Sequence, residues 1–313
     1  MQLRPLGRTE LQVSVVGFGG SPLGGVFRPV TPAEADRTVQ AALDAGITYF
    51  DTSPYYGATA AETVLGRALA GVPRDRYVLA TKVGRYGSRP KDFDFSAGRM
   101  ERSVDESLAR LRCGHIDLIQ IHDLEFGSLE QIENETLPAL DRLRATGKVR
   151  FVGITGLPLA ALRTVQAHAP QLVDTVLSYA HGTLNDRTFL PYAAELRRAG
   201  VGVINAAPLA MGLLTSRPLP DWHPAPAALR AACAAAAERC ERRGTALADL
   251  ALQYAFGLPD MECTVVGLAG EDEVRRAVAC AAQRPDPGLL AEVEAILAPV
   301  QGLTWLSGRP ENN

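Results

Sequence analysis

Eight short, almost continuously apolar runs recur along the chain, each separated from the next by a longer, more polar segment, and this alternation restricts the fold more than any other feature. The runs are Val15–Phe18, Thr48–Asp51, Tyr77–Thr81, Asp117–Ile121, Phe151–Thr155, Thr175–Ser178, Val201–Ala206 and Cys263–Gly267. Strands that are apolar on both faces are covered on both sides, as in parallel sheets flanked by helices. The segments between them carry helix signals. Pro32–Ala45 starts after Thr31, a good N-cap, and stops at Gly46. Arg99–Leu111 sets Val104, Leu108 and Leu111 on one stripe. Leu129–Ala145 ends near Gly147, Phe189–Ala199 ends at Gly200, and 226–256 divides into two helices near Gly244.

Eight βα units in register predict an α/β fold, one closed (β/α)8 TIM barrel spanning residues 1–313. Leu3–Leu6 and Leu11–Val13, joined by Gly7-Arg8-Thr9-Glu10, predict an N-terminal β-hairpin that plugs the bottom of that barrel. An open dinucleotide-binding sheet is the competing architecture. It is disfavoured because the first strand runs into GFGGSPLGG instead of a G-x-G-x-x-G turn opening directly into a helix.

Composition removes several function classes. The net charge of −3 comes without a basic stripe or interleaved aromatics, so no nucleic-acid partner is expected. No apolar run approaches the length of a membrane span, and the N-terminus lacks the cationic start and apolar core of a secretory signal. Five cysteines, an odd number without a C-x-x-C pair, read as reduced thiols of a cytoplasmic protein. The five histidines show no metal spacing, so no metal is expected.

In a barrel the chemistry sits at the carboxyl ends of the strands, and four polar residues fall there. Asp51 ends the second run in YFDTSPYYG, Tyr56 follows in the loop, Lys82 follows the third in LATKVG, and His122 follows the fourth in LIQIHD. Each alone reads as well as a cap, a rim aromatic, a solvated charge or a satisfied core histidine. Converging on consecutive strand ends, they form an acid/base device. A buried ammonium beside a phenol favours phenolate and draws the phenol towards the working range, a carboxylate holds the ammonium, and an imidazole orients the substrate oxygen.

FDTSPYYG, ATK and QIHD, at this order and spacing, resemble the catalytic tetrad of the aldo-keto reductases. The resemblance implies Tyr56 as proton donor and acceptor, with Asp51, Lys82 and His122 around it. Longer stretches (DFDFSAGRM, SVDESLARL, HDLEFGSLEQIENETLPAL, FVGITGLPL, APLAMGLLT and DWHPA) resemble the plant-type L-galactose dehydrogenases and their bacterial relatives, over about residues 3 to 283. That group oxidises an aldose at its anomeric carbon to the lactone with NAD, which is the activity the resemblance implies. Related aldose or pyridoxal oxidation, NADPH-dependent carbonyl reduction, and a cofactor-sensing subunit without turnover are the alternatives.

The resemblance also implies a nicotinamide site. Thr155 and Gly156 fall where a Ser-Asn pair commonly holds the carboxamide, and Ser178 where a glutamine helps. Ala206 replaces the aromatic residue that often stacks on the ring. Pro208, Leu209, Met211, Gly212 and Leu213 would pass over the pyrophosphate, where glycine permits close backbone approach. Gly267, Ala269 and Glu273 would face the adenosine ribose. A carboxylate there repels a 2′-phosphate, which favours NAD over NADP, although Arg275 and Arg276 stand nearby. For a sugar substrate, Tyr55, Asp123, His181 and Trp222 are the expected rim contacts. The partners implied are a small sugar and, at most, a second copy in a weak homodimer.

Overall fold

The computed structural model describes residues 1–26 and 28–313. An antiparallel hairpin pairs β1 (Leu3–Pro5) with β2 (Gln12–Ser14). The barrel strands follow as β3 (Val16–Gly19), β4 (Tyr49–Asp51), β5 (Val78–Val83), β6 (Ile116–Ile121), β7 (Val149–Gly156), β8 (Thr175–Tyr179), β9 (Gly202–Ala206) and β10 (Cys263–Gly267). They pair in parallel in chain order, and β10 returns to pair with β3, closing the ring. All eight expected strands are present. β7 begins two residues earlier than its apolar run, because Val149 pairs with Ile116 while Arg150 between them points to solvent.

Thr31 caps the helix Pro32–Asp44 by accepting the Glu34 N–H. The long segment after β6 is helical from Leu129 to Ala145 but widens into a π turn over Ile132–Thr136. Pro138 explains the widening, since it has no N–H to give the regular ladder. Four helices lie outside the expected set: Ala60–Ala68, Leu159–His168, Glu271–Ala281 with three acidic residues in its first turn, and Pro287–Leu297, which Asp286 caps by accepting the Leu289 N–H. The first two are short and start without a side-chain cap. Among the described residues no helix is long and apolar enough to cross a membrane.

Alternation along the strands separates two environments. Inward-facing Tyr49, Val78, Ala80, Leu118, Leu177, Ile204, Cys263 and Val265 form the barrel core, while Ile119, Ile121, Val152, Ile154, Val176 and Val203 pack outward against helices. Leu6, Leu11 and Val13 of the hairpin join the inner core. The hairpin therefore closes the bottom, as expected, with the Arg8 N–H donating to Gly200 O at 2.6 Å. Gly7 makes this possible: its φ is +53°, and a Cβ there would overlap the Gly202 backbone. With the bottom filled by apolar side chains, the polar inward-facing residues Asp51, Lys82 and Gln120 lie towards the carboxyl end.

Candidate active site

Two residues beyond Tyr49, Ala80 and Leu118, on the same inward face, stand Asp51, Lys82 and Gln120. The parallel register sets them side by side: Asp51 is level with Ala80, and Lys82 with Gln120. Lys82 Nζ donates to Asp51 Oδ1 and, at 2.9 Å, to Thr52 O, while Gln120 Nε2 donates to Asp51 Oδ2 at 2.8 Å. Both members of this ion pair are buried. Taking two charges from water is costly, and the two extra hydrogen bonds are what make the arrangement tolerable. Gln120 is thus part of the site, although a glutamine inside an apolar strand carries no signal of its own.

Tyr56 and His122 lie above this pair. Lys82 Nζ is 5.0 Å from the centroid of the Tyr56 ring, and the His122 ring stands edge-on to it at 5.6 Å. Ser53 Oγ accepts the Tyr55 N–H at 3.1 Å and lies 3.0 Å from His122 Nδ1. Its hydroxyl has no other acceptor among the described residues, so it donates to Nδ1 and leaves the ring proton on Nε2. Burial, followed by the charges of Lys82 and Arg85, holds His122 well below the usual histidine range. The imidazole is therefore a neutral Nε2–H donor.

The charge state of Tyr56 corrects the expectation from sequence. Lys82 does pull the phenol down, but burial is the larger effect, and the Asp51 and Asp123 carboxylates add to it. The net shift of Tyr56 is upward. Neighbouring residues can be inferred from spacing, whereas the desolvation that outweighs them cannot.

The remaining expected residues are placed as follows. Thr155 is buried at the end of β7, where its Oγ1 accepts the Asp123 N–H at 3.1 Å. Gly156 follows it, and a Cβ there would sit 2.7 Å from Glu125 Oε2. Ser178 shares the outward face of Val176, and its buried Oγ has no partner among the described residues; the same holds for Oδ1 of Asn205, its register neighbour on β9. After β9, Pro208 and Leu213 are buried, and the turn Ala210–Gly212 holds Met211 and Gly212 at positive φ. Gly267 is exposed, Ala269 is buried, and Glu273 lies in the first turn of Glu271–Ala281, accepting the Ala269 N–H at 2.7 Å. Arg275 and Arg276 are paired with Asp272 and Asp249. Arg28, not singled out by the sequence, donates to Ala269 O at 2.9 Å and to Glu34.

Tyr55 is half-buried beside His122, with ring centroids 5.8 Å apart. Trp222 is 57% exposed and stacks on His223. Asp123 and His181, expected as rim contacts, are buried. Asp123 is buried because Arg85 neutralises it, and His181 because its Nδ1 is clamped by Asp186 at 2.8 Å and Thr188 at 3.1 Å.

Glu125 is a further site neighbour that no motif marks. It is fully buried, and Oε1 accepts from Ser307 at 2.8 Å and from the Leu157 N–H at 3.3 Å. The C-terminal tail docks on its backbone, with the Arg309 N–H at 3.0 Å and Asn312 Nδ2 at 2.8 Å from Glu125 O. Burial, then the Asp123 charge, push the Glu125 carboxyl from 4.5 up to about 8. The folded protein therefore holds a proton here that the unfolded chain releases, so stability falls as pH rises from about 4.5 to about 8. Glu125→Gln, uncharged throughout, is expected to lose less stability over that window in urea melts. Equal losses in both proteins would show that Glu125 does not titrate there.

Residues 15–297 match the model of the Aldo/keto reductase family. The chain is 48% identical to L-galactose dehydrogenase of Arabidopsis thaliana, covering 100% of this chain and 99% of the plant protein. It is 34% identical to D-arabinose 1-dehydrogenase of Saccharomyces cerevisiae, over 77% of this chain and 74% of the yeast protein. Among solved structures, the holo form of the aldo-keto reductase AKR11C1 from Bacillus halodurans superposes with a TM-score of 0.78 at 26% identity, covering 100% of this chain and 99% of that one.

Proposed function

The chain belongs to the aldo/keto reductase family, whose members work with nicotinamide cofactors, and from that premise we propose that it oxidises an aldose at C1 to the aldonolactone, with L-galactose and NAD as its reactants. The observation that carries the chemistry is a phenol set between a neutral Nε2–H imidazole and a buried ammonium–carboxylate pair. The substrate assignment is supported by the full-length similarity to L-galactose dehydrogenase.

His122 donates from Nε2 to the anomeric oxygen and turns it towards Tyr56. Tyr56 accepts the hydroxyl proton, and Lys82 stabilises the phenolate form that does so. Asp51 and Gln120 keep the ammonium in place. The bound nicotinamide supplies the acceptor for the C1 hydride, which no side chain can replace.

The residues at the strand ends fit that group. At the ends of β8 and β9, Ser178 Oγ and Asn205 Oδ1 are buried polar atoms without a partner among the described residues, available to a bound polar group. The left-handed backbone at Ala207, Ala210 and Met211 is strain of the kind retained at ligand clamps. Thr155 and Ser178 would hold the carboxamide, Pro208 to Leu213 the pyrophosphate, and Gly267 to Glu273 the adenosine end. NAD is favoured because the Glu273 carboxylate would stand at that end, while Arg28, Arg275 and Arg276 are paired with Glu34, Asp272 and Asp249.

The test is reduction of NAD and NADP over L-galactose, L-fucose, D-arabinose and pyridoxal, with simple aldehydes assayed in the reverse direction. The highest kcat/KM is expected for L-galactose with NAD. Faster reverse turnover of simple aldehydes with NADPH, or no turnover of any aldose, would overturn the reading.

A further inference from the structure

We propose that Arg85 and Asp123 form a substrate clamp that recognises the hydroxyl on the carbon next to the reacting one, restricting the site to 2-hydroxy aldoses. This deepens the reading above and rests on it. Neither the tetrad nor the cofactor segments use Arg85, and it packs against three aromatic rings and one carboxylate. Its guanidinium lies 3.7 Å from the Tyr55 ring centroid and 5.4 and 5.6 Å from the centroids of Phe93 and Phe126, which stack on each other at 4.3 Å. The Tyr55 hydroxyl is in turn within 3.3 Å of Ser88 Oγ. Stacked in this way, the planar cation has little freedom to swing out.

Arg85 is ion-paired with Asp123 Oδ2. Asp123 directly follows His122 and is held in left-handed backbone, φ 51°, with its N–H anchored on Thr155. Such strain in a residue other than glycine persists where the surroundings dictate it. The result is a buried carboxylate with Oδ2 3.7 Å from His122 Nε2, the atom that donates to the reacting oxygen. Its other oxygen, Oδ1, accepts from no donor among the described residues. A carboxylate only accepts hydrogen bonds, so this oxygen is open to a hydroxyl donor brought by the substrate. When the anomeric oxygen lies on His122 Nε2 and Tyr56, the neighbouring carbon is carried towards Asp123, and its hydroxyl is that donor. A 2-deoxy sugar would instead bury an unpaired carboxylate against CH2, the arrangement that polar sites reject most strongly. Arg85 is then a positioning residue: it balances the charge and fixes which oxygen faces the substrate.

The experiment compares kcat/KM for L-galactose and 2-deoxy-L-galactose in wild type, Asp123→Asn, Asp123→Ala and Arg85→Ala, with NAD affinity read separately by fluorescence. Wild type is expected to disfavour the 2-deoxy sugar by roughly 10²-fold or more. Asp123→Ala should lower turnover of L-galactose far more than that of the 2-deoxy sugar, bringing the two within about 3-fold, at unchanged NAD affinity. Arg85→Ala should shrink the ratio mainly through KM for L-galactose. Similar wild-type rates on both sugars, or variants that lower both equally, would overturn the clamp while leaving aldose oxidation intact. Should Asp123→Ala fail to fold, the wild-type ratio and Asp123→Asn decide. An absence of turnover on L-galactose itself would overturn the functional reading, and the clamp with it.

Discussion

Tyr56→Phe is expected to lower kcat for aldose oxidation by roughly 10³-fold while leaving NAD affinity within about 2-fold. The substitution removes one oxygen from a ring whose packing against His122 is unchanged, so geometry is preserved and proton transfer is lost. The pH profile carries the same information. Burial pushes the Tyr56 phenol up, and Lys82 only partly opposes this. The proton-accepting form therefore becomes more populated as pH increases, and kcat/KM for oxidation should climb through the alkaline range. His122 is held well below 6.5 and is already neutral at pH 7, so it adds no alkaline limb. Steady-state rates of both proteins from neutral to alkaline pH, with cofactor binding followed by fluorescence, check this. A variant within about 10-fold of wild type would remove Tyr56 from its assigned role.

Lys82→Met is expected to be the most disruptive single change at the site for stability, costing about 3–5 kcal/mol. The lysine is buried against a buried aspartate, so truncating it leaves the Asp51 carboxylate with one side-chain donor, Gln120. An unpaired charge in that position costs more than the pair itself contributes. The double variant Lys82→Met/Asp51→Leu, which removes both charges, should therefore recover part of the loss. Urea midpoints of the wild type, the single variant and the double variant measure this, and a single variant as stable as wild type would contradict the account. Activity should be lost in both variants, because neither retains the ammonium that favours the phenolate.

The barrel was legible because its strands are buried on both faces and its hairpin needs Gly7 at a backbone angle other residues avoid. The four tetrad positions were legible because three neighbouring strand ends carry them in sequence order. What could not be read lies where distant segments meet. Ser307 and Asn312 reach Glu125 across more than 180 residues, and nothing in HDLEF indicates that a terminal tail covers it. Arg85 looks like a loop arginine until Tyr55, Phe93, Phe126 and Asp123 are assembled around it. Trp222 is exposed and stacked on His223, an environment its side-chain type alone does not reveal. The burial of Asp123 is not legible because Arg85, which neutralises it, lies 38 positions away, whereas the partners that bury His181, Asp186 and Thr188, are local but carry no motif.

L-Galactose carrying deuterium at C1 provides the most direct test that these residues serve oxidation at the anomeric carbon. After a single turnover with NAD, mass spectrometry of the cofactor should find the label in the reduced nicotinamide, with the sugar recovered as its lactone. Label retained in the sugar product, or released to water, would contradict the account.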